Sequence, residues 1–289
     1  MPEQSRHSNL RKKLALFVGL GGVILAVTYF SFVRPGIAET AAEDSSAIGL
    51  SAGGWERTVQ NDAFGIGEKL TFDIKYGFIT AGTATMEVAK LIEFSERPCY
   101  QIISRANSNS FFSSWYKVDD KVETIVDAPG LFSWRFEKNL REGNYKSDRL
   151  CEFDQRNHHV VYNKDTTICP PFTQDALSVL YFVRTQPLEE GKSIYVDNFT
   201  DGKQYSLEVR VLRREKISVT AGTFDCIVVE PLLQTVGVFK HEGKLTVWLT
   251  DDRLRMPVLM KSKILVGSVS AELTKYTLGE IEDLSAEVD

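Results

Sequence analysis

Histidine and cysteine are scarce in this chain, which has four of each among its 289 residues. No two cysteines lie two to four residues apart, so the ligand spacing of structural zinc sites is absent. The chain also lacks a Gly-x-Ser-x-Gly motif, and the adjacent His158 and His159 would point to opposite faces of a strand. The sequence therefore favours a non-enzymatic protein over an enzyme, and we expect no catalytic residue, metal or cofactor.

The chain also lacks an excess of positive charge. It has 34 Lys and Arg against 39 Asp and Glu, a net charge of −5, and residues 279–289 form an acidic tail. Nucleic-acid binding requires a basic patch, so no nucleic-acid partner is expected. The hydrophobic share of 43% is ordinary for a globular protein and is sufficient to fill a core.

One long apolar run is present near the N-terminus. Residues 14–33 carry no charge over 20 residues, about the length that crosses a bilayer, and they follow a basic segment, residues 1–13. Because cationic residues stay on the cytoplasmic side, the rest of the chain is predicted to be exported. Gly36 and Ala38 form a small-x-small pattern typical of cleavage, so the run is either a signal peptide or a transmembrane helix. The predicted location is the periplasm, either soluble or anchored to the inner membrane through residues 14–33.

Beyond a linker at residues 34–63, the sequence predicts a single β domain at residues 64–278. Apolar and polar residues alternate from residue 70, as in a strand with one wet face, and roughly a dozen such segments follow. A sheet of that width has to curl, close or split. The expected fold is mainly β: a large antiparallel curled sheet, open barrel or sandwich. Gly82 and Gly222 share a β-branched-Thr-Ala-Gly-Thr pattern, which predicts a hairpin turn at each.

One segment has helical rather than strand periodicity. Within residues 173–185, apolar side chains recur at three- and four-residue spacing, and prolines flank the segment on both sides. Thr173 is the predicted N-cap. We expect one amphipathic helix packed on the sheet, with Arg184 in its last turn, where the helix dipole favours a cation.

The four cysteines permit two disulfides in an oxidising compartment, with three possible pairings. Cys151 and Cys169 are the preferred candidate pair because the loop between them is short. The alternative is that each cysteine is a small buried apolar residue, which we favour for Cys226.

Aromatic residues supply the best indication of function. They cluster between residues 111 and 136, and in a curled sheet they could line a pocket for an acyl chain or another apolar ligand. Filling the core is the alternative role for such residues. The predicted ligand-binding residues are Phe111, Phe112, Trp115, Tyr116, Phe132, Trp134 and Phe136.

Paired acids indicate a second function. Asp119-Asp120 and Asp251-Asp252 could together bind Ca²⁺, or act as the acid and base of a glycan hydrolase, if the fold brought them together. Acids at strand ends more commonly bind turn amides. A third hypothesis is an assembly partner that binds through an exposed sheet edge.

Several motifs together resemble a known bacterial exported family, domain of unknown function 3108, over about residues 64 to 277. The matching strings are Gly67-Glu68-Lys69-Leu70-Thr71-Phe72-Asp73-Ile74-Lys75-Tyr76, Ala81-Gly82-Thr83-Ala84, Tyr116-Lys117-Val118-Asp119-Asp120, Asp175-Ala176-Leu177-Ser178 with Tyr181 and Arg184, Pro187-Leu188 with Gly191, Ala221-Gly222-Thr223-Phe224, and Trp248-Leu249-Thr250-Asp251-Asp252 with Arg255-Met256-Pro257-Val258.

The resemblance implies a predominantly β domain behind an export signal in Gram-negative bacteria, without an assigned activity. It transfers no catalytic residue. The signature positions in this chain are Gly82, Asp120, Arg184, Gly222 and Asp252. Together with the residue patterns, it favours a non-enzymatic periplasmic carrier for a lipid-like ligand or lipoprotein, with an apolar ligand or an envelope protein as partner.

Overall fold

The computed structural model describes residues 57–233, 244–263 and 267–281. These residues form one antiparallel sheet of 14 strands and two short helices, so the predicted mainly β curled sheet is confirmed. The predicted helix at residues 14–33 lies outside the described residues. Within the described ranges, no helix has the length and apolar character needed to cross a membrane.

The elements follow the chain in order. The first meander contains β1 (Lys69–Tyr76), β2 (Ile79–Phe94), β3 (Arg97–Ser108), helix α1 (Ser110–Ser113), β4 (Asp119–Asp127), β5 (Ser133–Glu142), β6 (Tyr145–Asp154), β7 (His159–Tyr162) and β8 (Asp165–Ile168). Helix α2 (Ser178–Arg184) leads to β9 (Ser193–Thr200), β10 (Lys203–Val219), β11 (Gly222–Pro231), β12 (Leu245–Thr250), β13 (Pro257–Lys263) and β14 (Ser268–Thr277).

The sheet order joins these two meanders through its first and last strands. The order is β8-β7-β6-β5-β4-β3-β2-β1-β14-β13-β12-β11-β10-β9, so β1 pairs with β14 at the centre, and β8 and β9 are the edges. We call the end of the sheet with the β1–β2 turn, α1 and the β9–β10 turn the upper end. The opposite end, with Arg57 and the β12–β13 turn, is the lower end.

Alternation along the strands places one apolar face inside the curl. In β1 the inward residues Leu70, Phe72 and Ile74 are all buried, while their neighbours are partly exposed. The curl brings the two halves together, because the ring of Phe199 on β9 lies 6.2 Å from Phe153 on β6 and 6.0 Å from Tyr162 on β7. The result is one continuous core that includes both meanders and α2.

A short segment before α2 helps to close the gap between the halves. The carbonyl of Thr173 accepts a hydrogen bond from the Ser133 backbone N–H at the start of β5. On the other side, Gln174 pairs in parallel with Asn198 of edge strand β9. The backbone groups of this part of β9 are therefore satisfied without a neighbouring strand.

Gly82 does not lie in a turn, contrary to the sequence prediction. It sits inside β2, opposite Ile74 on β1 and Ser108 on β3, and the β1–β2 turn is formed earlier, at Gly77. A Cβ atom at position 82 would lie 2.2 Å from the backbone oxygen of Asn107. Close approach of two strands, rather than positive φ, explains this glycine. Gly222, with φ 143°, does lie beside the β10–β11 turn.

Helix α2 begins later than predicted and is capped by a different residue. It starts at Ser178, and Thr173 makes no capping contact with it. Instead, Asp175 Oδ1 accepts the backbone N–H groups of Leu177 and Ser178, at 2.7 and 2.9 Å. Asp175 therefore performs the N-terminal role expected of Thr173.

The predicted Cys151–Cys169 disulfide is not formed, since all four cysteines are buried free thiols. Cys151 pairs with Tyr162, whereas Cys169 follows Ile168, the partner of His159 at the other end of β7. Strand spacing and rise place the two cysteine Cα atoms more than about 10 Å apart, beyond the reach of a disulfide.

Candidate functional site

The seven aromatic residues predicted to bind ligand do not form one pocket. Phe111 and Trp115 project from the α1 region and are 63% and 71% exposed. Phe132 and Trp134 pack in a small separate cluster with Cys99 and Ile125, and Phe136 belongs to the main core. Phe112 and Tyr116 are partly buried around α1. The short connections that make these residues close in sequence send them to different faces of the sheet.

The two acid pairs lie at opposite ends of the domain. Asp120 is the second residue of β4, at the upper end, and Asp252 lies in the β12–β13 turn at the lower end, more than about 10 Å away by strand length. Asp252 Oδ1 accepts bonds from the Thr250 hydroxyl and two turn amides. This arrangement removes the glycan-hydrolase hypothesis, which requires carboxylates within about 9.5 Å. In the part of the chain that is described, no three His, Cys, Asp or Glu residues form a group able to hold a metal ion.

Asp120 has a local partner instead, the carboxyl group of Glu142. Both are buried, at 3% and 2% exposure, and Asp120 Oδ1 accepts the Arg141 backbone N–H at 2.7 Å. Burial raises the pKa of Asp120 to about 6, because the hydrogen bonds from Arg141 and Glu142 offset only part of the lost hydration. Burial and these two carboxyls also raise the pKa of Tyr116 to about 12.

A cavity of about 70 Å³ lies inside the curl, between α2 and strands β9 to β12. Its walls are mainly aliphatic. Helix α2 contributes one wall, and inward side chains of β10, β11 and β12 contribute the others. The apolar lining residues are Ala176, Val179, Leu180, Val183, Leu207, Val209, Val229, Pro231, Leu233, Leu245 and Val247.

The polar lining of this cavity comes from the β9–β10 hairpin at the upper end. Asn198, Thr200, Asp201 and Lys203 contribute to it. Asp201 Oδ1 accepts a 2.7 Å bond from the buried ammonium group of Lys138 on β5. This ion pair ties the hairpin to the first meander and places charge beside an otherwise apolar space.

Asp175 fixes the start of the α2 wall. Besides capping the helix, its Oδ2 atom accepts hydroxyl hydrogen bonds from Thr124 on β4 and Ser133 on β5, both at 2.5 Å. The carboxyl group is completely buried, and burial raises its pKa against the opposing effect of these donors. One side chain thus connects α2 with two strands of the first meander.

Arg184 fixes the other end of α2. Its guanidinium group makes a bidentate ion pair with Glu68, with Nη1 and Nη2 at 2.7 and 2.6 Å from the two carboxylate oxygens. It also donates to the carbonyls of Ala63 and Leu254. Burial would lower the pKa of Arg184, but the charge of Glu68 outweighs it and the pKa is raised. The predicted position in the last turn is correct, while the partner is a buried carboxylate as well as the helix dipole.

Sequence reasoning missed the cavity residues and Glu68. The cavity residues alternate along β10 to β12 as any core residues would, so only their shared position opposite α2 distinguishes them. Glu68 precedes Lys69 at a strand start, which is the pattern of a solvated residue. No local signal reveals a partner that is 116 positions away in the sequence.

The curled sheet places this protein among barrel-like β proteins. It is similar to the crystal structure of a β-barrel-like protein of domain of unknown function 1849 from Brucella abortus, with a TM-score of 0.51, 12% identity, and coverage of 75% of this chain and 100% of that one. The chain itself belongs to the family described as "Protein of unknown function (DUF3108)", which matches residues 71–274. The resemblance inferred from the sequence motifs is therefore confirmed.

Two further crystal structures match less well. One is a candidate lipoprotein from Parabacteroides distasonis, with a TM-score of 0.35, 10% identity, and coverage of 77% of this chain and 100% of that one. The other is a candidate exported protein with a YmcC-like fold from Bacteroides fragilis, with a TM-score of 0.29, 14% identity, and coverage of 76% and 100%. No curated protein matches the chain significantly.

Proposed function

We propose that this protein is an exported, non-enzymatic binding protein of the cell envelope that accepts an apolar group in the cavity between α2 and β9–β12. The observation that carries the proposal is the lining of that cavity, in which aliphatic side chains predominate and the polar groups come from one hairpin. Ligand sites of this kind are mostly apolar with a few polar groups that orient the ligand.

The size of the cavity limits the ligand. A pocket that encloses a drug-sized ligand has about 300 Å³ or more, whereas this cavity has about 70 Å³. It therefore holds the end of an acyl chain or one apolar side chain, while the remainder of the ligand stays outside. The proposal is accordingly narrower than a carrier that shelters a complete lipid.

The clamped helix supports a preformed site. Asp175 and Arg184 hold the two ends of α2 through buried hydrogen bonds to β4, β5 and Glu68. A wall fixed at both ends does not need to be ordered when ligand binds, which lowers the entropic cost of binding. In this interpretation, two motif residues of the family maintain the shape of the cavity.

Titration calorimetry with a series of straight-chain alkyl carboxylates, kept below their micelle concentrations, tests the proposal. Each methylene group that enters the cavity should strengthen binding by about 0.8 kcal/mol. We expect this gain over the first few carbons and a plateau once the cavity is full. Absence of binding, or a gain that continues through the longest chains, would contradict a cavity of this size.

Two cavity-filling variants provide the structural control. Val209→Ile adds one methylene group to the wall, and Val179→Phe adds a ring. Both should retain the wild-type thermal stability or exceed it, because they fill empty space, and they should weaken binding in that order. Equal affinities for the wild type and both variants would place the ligand elsewhere.

A further inference from the structure

The upper end of the sheet carries an exposed group of large apolar side chains. Phe78 and Ile79 form the tip of the β1–β2 hairpin and are 103% and 58% exposed. Phe111 and Trp115, on the neighbouring α1 connection, are 63% and 71% exposed, and their ring centroids lie 5.6 Å apart. We call these four residues the apolar rim.

Hydrogen bonds hold the two loops of the apolar rim beside each other. Asn109 caps α1 through its Oδ1 atom and donates its Nδ2–H to the carbonyl of Thr80, directly after Ile79. The Asn109 backbone N–H also donates to the carbonyl of Ala81. The four side chains therefore project from a fixed platform instead of from two independent loops.

We propose that the apolar rim is a docking surface for a lipid bilayer. Trp and Phe at exposed loop ends are residue types that enter the membrane interface, and Lys117, two residues after Trp115, is exposed and suits an anionic headgroup. Several exposed large apolar side chains on neighbouring loops mark such an interaction site, whereas single scattered ones do not.

The sequence before the described residues supports a membrane as the occupant. Residues 14–33 have the length and composition of a bilayer-crossing segment, and 23 residues, 34–56, separate it from Arg57. Arg57 bonds the Gly130 and Leu131 carbonyls at the lower end, about 30 Å from the rim by the length of β4. An extended chain covers at most about 3.3–3.6 Å per residue, so 23 residues can reach up to about 80 Å, which is more than the distance from Arg57 to the rim. If residues 14–33 are retained as an anchor, the rim can therefore contact the same membrane.

The same end of the sheet carries the polar hairpin of the cavity, Asn198 to Lys203. Docking would thus place the cavity near the membrane surface, where acyl chains are available. The docking proposal goes beyond the proposed function and does not depend on the cavity being occupied. Either proposal can fail without the other.

Tryptophan quenching in vesicles tests the docking. The full chain is reconstituted in 7:3 phosphatidylcholine:phosphatidylglycerol vesicles with lipids that carry a nitroxide near the headgroup. The segment at 14–33 contains no tryptophan, and Trp134 and Trp248 are buried. Trp115→Phe should remove most of the quenching, while Trp55→Phe should leave it. Quenching that persists in Trp115→Phe would overturn the proposal.

Polar variants distinguish the bilayer from other occupants. The double variant Phe78→Ser with Phe111→Ser should reduce quenching of Trp115 at least severalfold. The control double variant Ile168→Ser with Leu278→Ser should leave it unchanged, because these exposed apolar residues (72% and 50%) lie at the lower end, away from the rim. If the Phe78 and Phe111 changes instead abolish a concentration-dependent self-association in detergent and leave the quenching unchanged, the rim binds a second copy and the bilayer proposal is wrong. Retained quenching in Val179→Phe would separate docking from ligand binding.

Discussion

At the residue scale, three carboxylate or guanidinium groups in the described part of the chain have specific hydrogen-bonding partners. Asp175 has four hydrogen-bond donors, Arg184 has Glu68, and Asp252 accepts from its own turn. Asp120 differs, because its nearest ionisable partner is another carboxyl, and its pKa is displaced toward neutrality. Perturbed carboxyls mark functional sites in many proteins, and this pair lies where β4 begins and β5 ends, at the upper end of the sheet.

The raised pKa of Asp120 gives a pH-dependent prediction. The folded protein holds the proton up to about pH 6, above the unfolded value of 3.8, so this group favours folding at low pH and loses that contribution as pH rises through about 6. Asp120→Asn keeps an oxygen for the Arg141 N–H. We expect it to stabilise the protein by roughly 1–3 kcal/mol at pH 7.5 and to have little effect at pH 3.5, measured by urea unfolding.

The adjacent residue is the matched control for this substitution. Asp119 is exposed and accepts a 2.9 Å bond from Asn107, so Asp119→Asn should change stability by less than about 0.5 kcal/mol at either pH. Equal effects of Asp120→Asn at pH 3.5 and 7.5 would show that packing, and not ionisation, controls this position.

At the element scale, α2 is the helix that packs in the core of the described domain, and its position depends on two groups of polar contacts, one at each end. A seven-residue helix has little intrinsic stability in water, so tertiary contacts have to hold it. Asp175 connects its start to β4 and β5, and Arg184 connects its end to Glu68 before β1. The helix consequently forms a rigid wall of the cavity although it is only two turns long.

The Arg184–Glu68 pair gives the second prediction. Both side chains are at most 2% exposed, so Glu68→Gln leaves the guanidinium charge without its carboxylate in a dry site. We expect a loss of about 3–5 kcal/mol in unfolding free energy. The double variant Glu68→Gln with Arg184→Met should lose much less than the sum of the two single changes, measured by a double-mutant cycle.

The Lys69–Glu87 pair serves as the comparison. It is a 3.0 Å ion pair between β1 and β2, and its two side chains are 50% and 37% exposed. Glu87→Gln should cost less than about 1 kcal/mol. Additive effects of the Glu68 and Arg184 changes would mean that the two residues stabilise the fold independently.

At the scale of the whole molecule, the sequence was sufficient for the fold class but not for the site. Period-two alternation predicts strands wherever one face is buried, and the wide sheet that follows from it has to curl. Gly82 shows the limit, because a turn glycine and a glycine pressed against Asn107 have the same local sequence pattern. The prediction of one aromatic pocket failed for a related reason. Ile125 pairs with Arg135 and Val126 pairs with Ser133, so Trp134 is the extra residue of a β-bulge. The bulge interrupts the alternation along β5, so Trp134 and Phe136 lie in different clusters.

The cysteines provide a prediction about the molecule as a unit. Cys99 and Cys226 lie in two separate small clusters on the sheet, and Cys151 and Cys169 lie in the main core. Burial raises the pKa of Cys99 and Cys226 to about 12 and that of Cys169 to about 11, so we expect these thiols not to react while the protein is folded. Because one continuous sheet joins the three clusters, we expect all four thiols to become accessible in a single cooperative transition.

Thiol alkylation across a urea series, without reductant and with mass spectrometry as the readout, tests this expectation. The folded protein should take up no label, and the unfolded protein should take up four, with no significantly populated species carrying one to three. Two labels at full unfolding would reveal a disulfide and contradict the register that separates Cys151 from Cys169. Early labelling of Cys226 alone would show that strands β10 to β14 unfold before the first meander. The cavity between α2 and β9–β12 would then lie at the boundary of two unfolding units.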